Sequence, residues 1–185
     1  MPLTTYTAGE VLTAASLNAN FTFAAENPTG GLVRVGGGTL SGASTTFSSV
    51  FSATYAAYKV VLTNLLSSDH TYFQIGSATT AYYTSGAKVT YAGVVSANAF
   101  SNSSQFDRLG YSAGTNLFGA TIEIQNPFLA AETTVQYSFI NTNPSDGGGL
   151  MAGFLDNTTS YTSIKIGASS GTLTGTCNIY GYSLS

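Results

Sequence analysis

Charged side chains are scarce in this chain, at 7% of its 185 residues, against roughly 25% in an average soluble domain. The five cations, Arg34, Lys59, Lys88, Arg108 and Lys165, are scattered along the sequence. Neutralising a phosphate backbone takes a cluster of such side chains. The scatter therefore argues against nucleic-acid binding.

Cysteine and histidine are almost absent, with only Cys177 and His70 in the chain. A lone cysteine excludes an intrachain disulfide framework, and one Cys with one His falls short of a zinc site. A catalytic triad is disfavoured because Asp69, next to His70, would point to the opposite face of a strand. We expect His70 to be solvated at a loop edge. The sequence therefore predicts a non-enzyme with no metal and no cofactor.

Long apolar runs are missing too. No segment approaches the roughly 20 apolar residues that a membrane span needs, and the first residues lack the charged and apolar regions of a signal peptide. The composition nevertheless resembles that of an exposed surface protein. These features together fit a protein that is assembled in a bacterial cytoplasm and works outside it.

What the chain does contain favours β structure, with 12% aromatic residues, 43% hydrophobic residues and 21 glycines. Alternation of apolar and polar residues predicts at least eight short strands in residues 31–185, the pattern of a sandwich or jelly roll. The predicted strands lie near residues 32–35, 46–51, 58–63, 71–75, 89–95, 118–125, 135–139, 164–166 and 177–182. The glycine triplets at 36–38 and 147–149 are predicted to be loops, and residues 96–116 form the longest segment without a pattern.

Residues 1–30 carry the helix signal. Thr13 is a candidate N-cap, and Leu12 and Leu17 occupy the hydrophobic-staple positions. Leu17 and Phe21, with Ala24 or Ala25, form one apolar stripe, which Pro28 and the glycines after it bring to an end. The stripe either packs on the β body or docks to another chain. We favour docking through Leu12, Leu17 and Phe21, because a glycine-containing linker separates the helix from the body.

Aromatic and short polar side chains in residues 96–116 favour sugar binding, in which rings stack on sugars and polar groups bind hydroxyls. The candidate contacts are Asn102, Gln105, Asp107, Arg108 and Tyr111. In the alternative interpretation, Phe100 and Phe106 anchor the segment in the core while Asp107 and Arg108 are solvated. Tyrosines are also enriched at protein interfaces, so four further ones are candidate subunit contacts: Tyr72, Tyr82, Tyr83 and Tyr91.

The segment YTAGEVLTAASLN at residues 6–18 resembles the N-terminal segment of many tailed-phage fibre and minor virion proteins. Those typically read F/Y-T-A-G-E-V-L-T-A-A-D-L-N, so Ser16 replaces their acidic residue, which a helix N-terminus favours. Weaker matches to small phage virion domains lie at residues 51–62, 119–127 and 175–182.

The resemblance implies a virion structural protein with a trimeric jelly-roll body, and it transfers no catalytic residue. We therefore expect an all-β, jelly-roll-like antiparallel sandwich at residues 31–185, preceded by a docking segment with a short helix at residues 1–30. The expected function is that of a tail-fibre or spike component that attaches to the host surface, with a host glycan as the candidate receptor. The alternatives are a capsid decoration protein and a carbohydrate-binding module.

Overall fold

The chain folds almost entirely into β-strands in the computed structural model, which describes residues 13–15, 17–18, 31–111, 116–142 and 147–183. The strands are β1 (Gly31–Leu40), β2 (Ser44–Phe47), β3 (Ala57–Ser67), β4 (Thr71–Ile75), β5 (Tyr82–Thr90), β6 (Val95–Ser103), β7 (Phe118–Gln125), β8 (Thr133–Asn141), β9 (Gly147–Leu155), β10 (Ile164–Ala168) and β11 (Leu173–Ser183). The all-β prediction is confirmed.

These strands form two antiparallel sheets. The large sheet has the order β1-β11-β3-β7-β8-β9-β5-β6, and the small sheet has the order β2-β10-β4. The pairings are nested along the chain, because β1 pairs with β11, β2 with β10 and β3 with β7. An isolated bridge from Phe73 in β4 to Phe106 adds a fourth, innermost pair. Strands β8, β9, β5 and β6 extend the large sheet beyond this nested set.

One hydrophobic core lies between the sheets. Along β8 every second side chain is buried, from Thr133 to Asn141, while the side chains between them are exposed. The buried set joins the inner face of the small sheet in one cluster, in which Phe73 of β4 meets Tyr137 of β8 edge to face at 5.3 Å between ring centroids. Period-two alternation therefore gives the large sheet one face toward the core and one outer face toward solvent.

Both glycine triplets lie inside strands, so predicting them as loops was wrong. Gly37 in β1 has φ +124°, and a Cβ there would lie 2.2 Å from the carbonyl oxygen of Cys177 in β11. A Cβ on Gly147 in β9 would lie 1.8 Å from the carbonyl oxygen of Val89 in β5. Glycine at these positions permits a close approach of neighbouring strands, not a turn.

Three other expectations are corrected. Residues 89–95, predicted as one strand, contain the turn of the β5–β6 hairpin. Residues 96–103, part of the segment predicted to lack a pattern, belong to β6. Tyr82, a candidate subunit contact, is fully buried, and its hydroxyl accepts a hydrogen bond from the amide of Ile75 at 2.9 Å. A tyrosine whose hydroxyl finds a backbone partner can enter a core.

The predicted N-terminal helix falls mostly outside the described residues. Ala14, Ala15, Leu17 and Asn18 are helical, and the amide of Leu17 donates to the carbonyl of Thr13 at 3.0 Å. Leu17 is 37% exposed. Of the predicted docking residues, Leu12 and Phe21 lie outside the described residues.

Candidate functional site

The segment that follows β6 is fixed against the small sheet. Phe106 and Phe73 exchange two backbone hydrogen bonds of 3.0 Å, and their rings stack at 4.7 Å between centroids. The amide of Leu109 donates to the carbonyl of Thr71 at 2.9 Å. Phe106 therefore anchors the segment in the core, as the alternative interpretation proposes, and the residues after it are held in place over the inner face of the extended large sheet. Asp107 and Arg108, which that interpretation places in solvent, are half-buried.

A small pocket of about 50 Å³ lies where this segment crosses that face. We call it the Arg108 pocket. Six polar side chains line the pocket, and they come from the residue before β4, from β5 and β6, from the anchored segment and from the end of β8. They are His70, Lys88, Asn98, Arg108, Tyr111 and Asn141. Phe139 and Met151 lie behind them as an apolar wall.

Arg108 and His70 are in direct contact in this pocket. Nη1 of Arg108 lies within hydrogen-bond distance of the His70 ring nitrogens, and the Tyr111 ring lies 4.9 Å from the imidazole between centroids. Burial and then the Arg108 charge lower the pKa of His70. His70 is therefore neutral at pH 7, and a neutral imidazole nitrogen can accept a hydrogen bond from the guanidinium.

Backbone geometry helps to aim Arg108. Its φ is +63°, a left-handed conformation that is uncommon outside glycine. Its amide donates to Oδ1 of Asp107 at 3.1 Å, and the hydroxyl of Tyr137 donates to the carbonyl of Asp107. The buried Tyr137 thus supports the turn that presents Arg108, which is the arrangement expected of a residue positioned at a site.

The carboxylate nearest to His70 in sequence does not orient its imidazole. Oδ1 of Asp69 accepts the backbone amide of His70 at 2.7 Å, and Oδ2 accepts the hydroxyl of Ser170 at 2.9 Å. These hydrogen bonds, the backbone one first, lower the pKa of Asp69. A Ser-His-Asp triad needs the carboxylate on the imidazole, so this arrangement does not form one.

Of the predicted glycan contacts, the structure brings Arg108 and Tyr111 together in one pocket. Asp107 adjoins it through the contacts described above, and Gln105 is half-buried earlier in the same segment. Asn102, at φ +51°, accepts the amide of Ala81 through Oδ1 at 3.1 Å, so it supports a turn.

The sequence interpretation missed His70, Lys88, Asn98 and Asn141 as pocket residues. His70 lies at the loop edge just before β4, as expected, but it is half-buried against Arg108 and not fully solvated. The rarity of the residue types was the available signal, because two of the five cations and the single histidine meet here. Their long sequence separations hid that convergence.

A broader groove of about 470 Å³ crosses the outer face of the large sheet between β3 and β9. Its one carboxylate, Glu123, is already engaged, because Lys59 Nζ lies 2.8 Å from Oε1 and the hydroxyl of Tyr182 donates to Oε2 at 2.7 Å. The hydrogen bond to Glu123 raises the pKa of Tyr182 to about 12. The charges in the groove are therefore balanced.

The Arg108 pocket is thus the best candidate for binding chemistry. Guanidinium, ammonium and amide groups donate hydrogen bonds, which suits hydroxyl or carboxylate oxygens of a ligand, and Tyr111 offers a ring. Across the described ranges, no three His, Cys, Asp or Glu side chains group closely enough to hold a metal ion. No helix in those same ranges has the length and apolarity needed to cross a membrane.

Comparison of the chain with protein-family models finds no match, and comparison with curated proteins finds none either.

Proposed function

We propose that this chain is a non-enzymatic phage virion protein, a tail-fibre or spike component that docks through residues 1–30 and exposes residues 31–185 for attachment to the host surface. The nested order of strand pairing is the observation that carries the proposal. The pairs β1 with β11, β2 with β10 and β3 with β7 enclose one another, as the pairs of a jelly roll do, and that architecture is common in viral capsid proteins and lectins.

Two further observations support this function. The N-terminal residues 6–18 carry the pattern of phage fibre proteins, and Leu17 is exposed, as a docking side chain requires. We include a homotrimeric state in the proposal, because three weak N-terminal contacts acting together attach far more firmly than one.

Attachment to a host glycan is assigned to the Arg108 pocket. Arg108 and Lys88 line the pocket and would donate to oxygens of a sugar at its mouth, and Tyr111 would pack against the sugar ring, because about 50 Å³ is too small to enclose a whole ring. The pocket also favours the second candidate function, a carbohydrate-binding module, which would use the same residues without a particle.

Labelling intact phage particles with an antibody against residues 31–185 tests the virion assignment. We expect label at the tail tip, at a copy number in the tens. Label spread over the head at hundreds of copies would instead establish a capsid decoration protein. Particles without label would overturn the virion proposal and leave the carbohydrate-binding module.

Binding of the purified full-length protein to host cells tests the pocket. Arg108→Gln is expected to reduce the bound fraction at least tenfold, because it removes a charged donor from the pocket. Arg34→Gln is the matched control, since Arg34 lies on the outer face of the large sheet, where it bonds to Asn178 at 3.1 Å. Equal binding by both variants would remove the pocket from the attachment mechanism.

A further inference from the structure

The outer face of the large sheet is divided by charge. Its formally charged side chains, Arg34, Lys59 and Glu123, all lie on β1, β3 and β7, in the half formed by β1, β11, β3 and β7. The outward-facing positions of β8, β9, β5 and β6 carry no formal charge, and all of them are described. We call this half the uncharged face. Lys88 of β5 does not belong to it, because it points inward to the Arg108 pocket.

The uncharged face exposes large apolar side chains. Leu150 is 66% exposed, Ile140 64% and Phe154 40%. Four strands about 4.8 Å apart, with about seven residues each at 3.4 Å, cover roughly 450 Å². Exposed polar side chains such as Gln136 and Ser138 lie among the apolar ones, so the apolar area is smaller than the whole face. Large exposed apolar side chains grouped on one face of a soluble chain still point to an interaction site.

The uncharged face ends in an edge strand whose protection is limited to a β-bulge, where its register with β5 shifts between Phe100 and Ser103. β6 closes the order of the large sheet, and its sequence, VSANAFSNS, contains no charge and no proline. Natural edge strands normally carry a lysine or proline that prevents pairing with another chain. The adjoining hairpin turn adds exposed Tyr91 and Val94 to the same end of the sheet. Backbone groups along such an edge suit a polypeptide partner, which can pair with them.

We infer that the uncharged face, with β6 at its edge, is the surface on which a second copy of this chain docks. Near the axis of a symmetric oligomer, equivalent residues of the copies approach one another, so a charged side chain there would lie close to a side chain of the same charge. A patch without charges avoids that repulsion. Small side chains such as Ala87, Ala97 and Ala152 let the partner approach the sheet closely.

The uncharged face supplies part of the area that a stable interface needs. A stable interface buries about 800 Å² per partner, and the uncharged face supplies roughly half of that before the exposed hairpin turn is included. In a ring, each copy contacts its two neighbours through two different surfaces. The contact between two copies therefore combines the uncharged face of one copy with a different surface of the next. The inference deepens the proposed homotrimer and rests on it.

Light scattering of the full-length protein and its variants tests the assignment. We expect about three times the chain mass for the wild type and a threefold fall, to the monomer mass, for Leu150→Glu and Ala97→Glu. Thr63→Glu is the matched control, because it adds the same charge at an exposed outward position of β3, and it should keep the wild-type mass. Circular dichroism melting establishes that each variant is folded.

Amide hydrogen exchange along residues 95–103 provides a second measurement. If β6 pairs with a neighbouring copy, the β6 amides that point away from β5 should exchange at least tenfold more slowly in the wild type than in Leu150→Glu. A folded wild-type monomer would overturn both the homotrimer and this interface. A trimer that tolerates both glutamates, with unprotected β6 amides, would overturn the interface alone. Capture of a different protein by this face, without self-association, would also contradict it.

Discussion

Cys177 shows how a single position reports the orientation of its strand. It lies on the core side of β11, is fully buried, and burial raises the pKa of its thiol to about 12. Because the thiolate is the reacting form, we predict that a thiol reagent at pH 8 modifies the native protein very slowly and the denatured protein at once and stoichiometrically. Absorbance of the released chromophore measures both rates. Rapid labelling of the native protein would mean that Cys177 faces solvent.

His70 couples the candidate site to pH. Its pKa is lowered in the folded state, by burial first and by Arg108 second, while Asp69 and Asp107 act in the opposite direction. The unfolded chain, with a histidine pKa near 6.5, then binds the proton more readily. We therefore predict that this group's contribution to stability is full above about pH 6.5 and is lost as the pH falls through the lower folded pKa. Melting temperatures measured between pH 5 and 7.5 should show the fall.

His70→Gln is the control for that pH dependence. Glutamine keeps a polar side chain beside Arg108 but does not titrate, so the melting temperature should change less between pH 6.5 and 5 than in the wild type. A slope as steep as that of the wild type would assign the dependence to another group.

At the scale of strands, glycine decides how closely β1 approaches β11. In Gly37→Ala the new Cβ would lie 2.2 Å from the carbonyl oxygen of Cys177, at a φ of +124° that alanine avoids. We predict a loss of about 1–3 kcal/mol in the free energy of unfolding, measured by urea denaturation. Gly119→Ala in β7 is the control, since its Cβ would meet the nearest atom at an ordinary 3.5 Å, and it should change stability by less than about 0.5 kcal/mol.

The same glycines explain which strands the sequence could predict. β7 and β8 alternate large apolar with polar residues, and both were predicted correctly within a few residues. β9 begins with three glycines and β6 consists largely of Ala, Ser and Asn, so neither carries a hydrophobic period. β6 and β9 form because they pair with neighbouring strands, and a local sequence pattern cannot reveal that pairing.

The candidate site was predictable only in part for a related reason. Arg108 and Tyr111 belong to one segment, so local composition was enough to select them. His70 and Lys88 reach the same pocket through the order of strands in the large sheet and the bridge between Phe73 and Phe106. That order depends on pairings far apart in sequence, which period-two alternation does not specify.

At the scale of the whole molecule, the core of the described residues is built from the body of the chain. All of the buried core side chains in the described part of the chain lie at or beyond Leu40, and β1 begins at Gly31. We therefore predict that a protein comprising residues 31–185 remains soluble and melts cooperatively, within a few degrees of the full chain, by circular dichroism. The truncated protein should no longer be incorporated into phage particles, as measured on a gel of purified virions.

The double variant Leu17→Asp with Phe21→Asp separates docking from mere chain length. Burying each apolar side chain in a partner contributes about 1.5–3 kcal/mol, and a carboxylate in the same contact would have to be desolvated. The variant should therefore match the truncation in particle incorporation while keeping all 185 residues and the wild-type melting curve. If truncation instead abolished the β signal, residues 1–30 would be part of the folded core. Their contribution would then be stability, and docking would have to lie elsewhere on the chain.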